Sequence, residues 1–99
     1  MVADVMRSQI RDVDVLGRYG GEEFVVLGEP HTVPGEMAER LRSSIAEAHV
    51  MGPSGPVRVT VSVGVAQLAP GDDLERLLAR ADRALYRGKD AGRNRVAIG

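Results

Sequence analysis

Glu22 and Glu23 stand side by side immediately after two glycines, in the tract Arg18-Tyr19-Gly20-Gly21-Glu22-Glu23-Phe24-Val25-Val26-Leu27. Adjacent glycines between two apolar segments, residues 13–16 and 24–27, are a hairpin signal, because a tight turn needs positive φ and Gly takes it at little steric cost. Acidic residues are depleted in strands, so two carboxylates at the mouth of the second strand stand against local preference. They either solubilise the turn or form a metal site, since Mg²⁺ is held by one or two carboxylates plus substrate phosphates. Near the other end of the chain, Lys89 and Arg93 lie four apart, which puts them on one side of a helix if that helix runs to Gly92. A lysine point charge and an arginine fork both bind phosphate; alternatively, Lys89 simply matches a helix C-terminal dipole. Arg11 and Asp14 make a third pair, which as a surface salt bridge is worth at most about 1 kcal/mol.

The totals bound the setting of these residues. Ninety-nine residues make one domain over 1–99. Apolar residues are 43% and charged residues 27%, ordinary for a globular protein with a small core. A net charge of −1 gives no long-range pull toward a nucleic acid polymer or an acidic membrane. There is no cysteine, hence no disulfide framework and no thiolate metal site. No apolar run approaches the roughly 20 residues of a membrane span, and the start does not read as a secretory signal, so a cytoplasmic setting is expected. Of the thirteen cations, Lys89 is the single lysine. His31 and His49 stand apart from each other and from other metal-binding types, and are read as surface residues.

The elements that must position the charged pairs follow from periodicity. Residues 1–11 read as a helix with Val2, Val5, Met6 and Ile10 on its apolar stripe. Residues 13–16 and 22–27 read as the two strands of the hairpin, the second covered on both faces because its apolar run is continuous. A helix is predicted over 34–50, opened by Pro34, with Ala38, Leu41, Ile45 and Ala48 inward and Glu36, Glu39, Arg40 and Arg42 in water. Residues 51–56 read as a loop. A long strand over 57–67 puts Val57, Val59, Val61, Val63 and Val65 on one face; the other face turns small at Gly64 and Ala66, which calls for helix packing or a ligand close by. The last helix starts with a capping-box pattern at Asp72 and Glu75. It buries Leu74, Leu77, Leu78, Ala81 and Leu85, shows a row of arginines to solvent, and closes on Gly92 as the glycine past its end. Residues 95–98 give a short final strand.

Four of these stretches, in order, resemble the GGDEF family, the diguanylate cyclases. Arg18-Tyr19-Gly20-Gly21-Glu22-Glu23-Phe24 matches the GGEEF variant of its signature, and Arg11-Asp12-Val13-Asp14 its R-x-x-D motif just upstream. Ser62-Val63-Gly64-Val65-Ala66 matches its S-x-G-[VI]-A strand, and the tract from Ala81-Asp82-Arg83-Ala84-Leu85-Tyr86 through Lys89 to Gly92-Arg93-Asn94-Arg95-Val96 its closing segment. The resemblance implies an α/β fold, a palm-like, mostly antiparallel sheet flanked by helices, that condenses two GTP molecules into cyclic di-GMP with Mg²⁺ or Mn²⁺. It implies that Glu22 is a metal ligand and, with Glu23, catalytic. It also implies that Gly20 and Gly21 let substrate approach the backbone, that Lys89 and Arg93 bind its phosphates, and that Arg11 and Asp14 form a product-inhibitory site.

The family's opening strand, with its D-x-D-x-F-K-x-x-N-D pattern, and its G-H-x-x-G-D segment do not occur in these residues. The expectation is therefore a domain lacking its first strand and helix: the C-terminal part of a diguanylate cyclase, without turnover as this chain alone. Two other readings are a cyclic di-GMP binding module acting through Arg11 and Asp14, and a dimerising remnant in a signalling protein. In the family the absent strand lies between residues 22–27 and residues 57–67. Either these two strands close on each other or another chain fills the gap, and the expected outcome is a homodimer, joined to an upstream sensory or regulatory domain.

Overall fold

Strand β2 (Glu23–Gly28) is buried along its whole length. Phe24, Val25, Val26 and Leu27 are each 5% exposed or less. A strand with no polar face has to be covered twice, and it is. Phe24 and Val26 pack with Ala38, Leu41 and Ile45 of helix α1 (Pro34–Glu47) on one side. Val25 and Leu27 pack with Leu77, Ala81 and Leu85 of helix α2 (Leu74–Asp90) on the other. Burying each large side chain contributes about 1.5–3 kcal/mol.

This computed structural model describes residues 13–18, 22–30, 32–48 and 50–99. The expected helix over 1–11, Gly20, Gly21, His31 and His49 lie outside the described residues, as do the side chains of Asp14, Arg18 and Val50. The main sheet runs β1 (Val13–Arg18), β2, β5 (Ser62–Gln67), β6 (Val96–Ile98). A separate hairpin joins β3 (Val50–Gly52) to β4 (Gly55–Val57). The α/β class with flanking helices is as expected, but the pairing is not mostly antiparallel. Only β1–β2 is antiparallel in the main sheet; β2–β5 and β5–β6 are parallel. Each parallel pair is joined through a helix, as parallel neighbours require. The expected gap between β2 and β5 is closed by direct pairing, from Glu23 opposite Ser62 to Gly28 opposite Gln67. The dimer expectation built on an open gap therefore loses that basis.

Both crossovers step the same way along the sheet, yet their helices cover opposite faces. The two connections therefore have opposite hands, and one departs from the right-handed preference.

Element boundaries differ from the periodic reading at three places. Helix α1 ends at Glu47 rather than residue 50, because Val50 opens the β3–β4 hairpin. The predicted loop over 51–56 is most of that hairpin, with Gly55 at φ 122° after its turn. The strand predicted over 57–67 is ordered as a ladder only from Ser62, since Val57 belongs to β4. At the start of α2 the capping residue is Asp73, whose carboxylate accepts from Arg76 N–H at 2.8 Å. Asp72 instead accepts from Ala69 N–H at 2.9 Å and pairs with Arg80. Leu74, expected inward, is exposed.

The small face of β5 is explained by helix packing. A Cβ on Gly64 would stand 2.2 Å from the Ala81 carbonyl oxygen and 2.5 Å from Leu85 N, both rigid helix backbone. Gly64→Ala is therefore expected to force α2 off the sheet and to lower stability by about 3 kcal/mol or more, read as a reduced urea midpoint with an unchanged slope.

Candidate functional site

The N-terminal ends of β2 and β5 and the C-terminal end of α2 converge on one corner. Glu22 occupies the turn entering β2 and is exposed, while its carbonyl accepts from Ser62 N–H at 3.0 Å. Glu23, one residue further, is in phase with Val25 and Leu27 and so lies on the face covered by α2. It is 8% exposed. Burial of a carboxylate calls for a partner, and α2 supplies one: Lys89 Nζ lies 3.0 Å from Glu23 Oε2. Lys89 is in turn four residues beyond Leu85 and eight beyond Ala81, on the same buried stripe. Two charges singled out at distant places in the sequence thus meet.

Arg93 does not share a helix face with Lys89. Helix α2 stops at Asp90, and Gly92 takes φ 128° as the residue past its end, as expected. Gly92 N–H donates to Lys89 O at 3.2 Å and Arg93 N–H to Gly88 O at 3.1 Å, the paired bonds of a Schellman stop. Arg93 and Asn94 then adopt φ 62° and 46°, left-handed values that side chains other than Gly adopt uncommonly. The helix-face argument fails because the helix had already ended. Arg93 is exposed, carried on this turn close in sequence to Lys89.

That turn is tied down by residues the sequence reading had left in water. Arg42 of α1 donates through Nη1 to Asn94 Oδ1 at 2.8 Å and through Nε to Glu39 Oε1 at 3.0 Å. The hydrogen bond from Arg42 holds the Glu39 carboxyl below its ordinary range, and the same bond raises Arg42. Val63 N–H donates to Arg95 O at 3.0 Å, which joins the end of the turn to β5. Nothing in local periodicity marks Arg42, since its target comes from the far end of the chain.

Among the described residues no three His, Asp or Glu side chains come together as a metal cluster. Glu22 and Glu23 offer carboxylate oxygens alone, a donor set that fits Mg²⁺ provided water or phosphate fills the remaining positions. Arg11, Gly20 and Gly21 lie outside the described residues; Asp14 is placed only by its backbone, opposite Leu27.

Removing Lys89 should strand the Glu23 carboxylate. Lys89→Ala is expected to destabilise by about 1–3 kcal/mol, less than for a fully buried pair because both groups keep some contact with water. Adding Glu23→Gln should recover much of that loss, and a double-mutant cycle by urea unfolding reads the coupling.

The profile described as "Diguanylate cyclase, GGDEF domain" matches residues 1–95. Diguanylate cyclase A of Treponema denticola is 40% identical over 102 residues, covering 98% of this chain and 27% of that protein. Diguanylate cyclase DgcM of Escherichia coli K12 is 41% identical over 97 residues, covering 96% of this chain and 23% of that protein. The chain thus spans about a quarter of these relatives. The crystal structure of the GGDEF domain of DgcB from Caulobacter crescentus in complex with c-di-GMP superposes with a TM-score of 0.75 at 34% identity, covering 98% of this chain and 60% of that one. With the family profile, these relatives and the superposed structure in agreement, the chain belongs to the GGDEF family of diguanylate cyclase domains.

Proposed function

We propose that these residues are the phosphate- and metal-binding part of a diguanylate cyclase domain, which joins two GTP molecules into cyclic di-GMP and releases pyrophosphate. The observation that carries this reading is the corner where Lys89 stands 3.0 Å from Glu23, the residue next to the exposed Glu22. A cation held against one carboxylate, with a second carboxylate exposed at the next residue, offers the two charges that a metal–triphosphate needs. Glu22, with Glu23 behind it, would hold Mg²⁺ or Mn²⁺. The ion would offset charge on the attacking 3′-oxygen and the α-phosphate.

The chain's own residues do the rest. Lys89 sets a positive charge against the phosphates, and Arg93, on its pinned turn, adds a planar fork. Gly20 and Gly21 leave room for the nucleotide against the backbone. One chain carries one such corner and the reaction joins two nucleotides, so the working unit is a homodimer. The greater length of the relatives supports an upstream sensory or regulatory domain. No described helix is long and apolar enough to cross a membrane.

A second reading is favoured by the neighbour solved with c-di-GMP: Arg11 and Asp14 bind cyclic di-GMP, the arginine gripping phosphate or a guanine edge and the aspartate accepting from guanine nitrogens. The 99 residues contain no upstream aspartate pattern or guanine-reading segment. A polypeptide of these residues alone therefore binds nucleotide without turnover.

Calorimetry with Mg²⁺-GTP and with cyclic di-GMP separately tests both readings. Lys89→Ala should cost GTP binding about 2 kcal/mol, and Arg11→Ala should cost cyclic di-GMP binding a similar amount. Unchanged GTP affinity in Lys89→Ala would overturn the phosphate assignment. Turnover by the parent chain, lost in Glu22→Ala, would overturn the binding-only expectation.

A further inference from the structure

Ser62, the first residue of β5, is 3% exposed, and it joins Glu23 as a buried polar residue in an otherwise apolar core. Its backbone N–H donates to the Glu22 carbonyl. Its hydroxyl has no hydrogen-bond partner among the described residues. A buried hydroxyl without a partner has given up water and gained nothing in exchange. An alanine would fill the same place, so the serine calls for an explanation.

Its position supplies one. Gly64 and Ala66 face α2: a Cβ on Gly64 would meet the Ala81 carbonyl, and Ala66 packs with Leu77, Ala81 and Leu85. Ser62, two residues before Gly64, lies on that face as well. The parallel ladder sets it directly opposite Glu23, on a strand about 4.8 Å away. Hydroxyl and carboxylate are therefore neighbours under the end of α2 that carries Lys89. The Glu23 side chain is 10% exposed and has no partner besides Lys89 among the described residues. The Lys89 side chain is 27% exposed, a point charge on a flexible four-carbon stem.

Under the function proposed above, Lys89 also has to meet nucleotide phosphates. An ammonium drawn toward phosphate strands a buried carboxylate, which is strongly unfavourable. We infer that Ser62 is a positioning residue that takes over Glu23 when Lys89 leaves it. The hydroxyl turns about χ1 to another staggered well and donates its one proton to the carboxylate. Glu23 then stays ionised and in place beside Glu22, and Lys89 is released to the phosphates. In the free chain the Glu23–Lys89 pair leaves the hydroxyl in reserve, which accounts for a buried donor with nothing to bond. The exchange of Lys89 for Ser62 belongs to the fold and is readable without nucleotide; its use in phosphate binding rests on the proposed function.

Urea unfolding of the full chain tests the exchange. Ser62→Ala in the parent should change the unfolding equilibrium constant by no more than about threefold, since no hydrogen bond is lost. In Lys89→Ala the same substitution should lower stability by about tenfold or more, as for a hydrogen bond to a charged group. In Glu23→Gln/Lys89→Ala it should fall back to within about threefold, a pattern that a packing defect at residue 62 could not produce. Equal effects of Ser62→Ala in all three backgrounds, or none in Lys89→Ala, would overturn the inference. Calorimetry with Mg²⁺-GTP tests the release of Lys89: Ser62→Ala, with Lys89 intact, should weaken binding by about tenfold. Unchanged affinity in Ser62→Ala alone would overturn that step. Unchanged affinity in Lys89→Ala as well would place the fault in the phosphate reading, and the unfolding pattern would still decide the exchange.

Discussion

The constraint on which this structure turns is the double burial of β2. Four consecutive apolar residues leave the strand no face for water, so it needs a helix on each side and a strand along each edge. β1 supplies one edge through a short hairpin and β5 the other. The two faces are divided by phase, Phe24 and Val26 against α1, Val25 and Leu27 against α2. Gly64 is the price of the second contact on the neighbouring strand, since α2 backbone occupies the space a Cβ would take.

The candidate site is a by-product of the same phase. A strand that buries Val25 and Leu27 under α2 must carry Glu23 to the same face. A helix that buries Ala81 and Leu85 must bring Lys89 to the sheet. The ion pair is where the two regular patterns run out of apolar residues together. The Schellman stop then turns the chain sharply, and the Arg42–Asn94 bond fixes that turn to α1. Chemistry is concentrated at the ends of elements that packing has already placed.

Much of this was legible before any coordinates. The buried run of β2, the inward stripe Ala38, Leu41 and Ile45, and the glycine stop at Gly92 all follow from local periodicity and backbone chemistry. The chemistry of Glu23 and Lys89 was visible, but not their contact, because it joins distant parts of the chain. Strand order has no local signal either: the closing of β5 on β2 stood as one of two alternatives drawn from the resemblance, and the parallel direction of that pair was missed. The β3–β4 hairpin was hidden by its own composition, since Pro53, Gly55 and Pro56 read as loop. The cap at Asp73 rather than Asp72 shows how two adjacent good cappers leave the choice to tertiary partners: Arg80 takes Asp72.

The parallel ladder between β2 and β5 also sets a timetable. The β1–β2 hairpin joins near neighbours and can form in about 1–10 μs once both strands exist. β2 and β5 are some forty residues apart, with α1 and a second hairpin between them. At ribosomal rates of about 5–20 residues per second, β2 emerges seconds before the strand that covers its inner edge. For that interval its most apolar run has one partner rather than two and no helix on the α2 side. The nascent chain is therefore most exposed to wrong strand partners between the synthesis of Gly28 and that of Ser62, and the burial that defines the finished domain is among its latest steps.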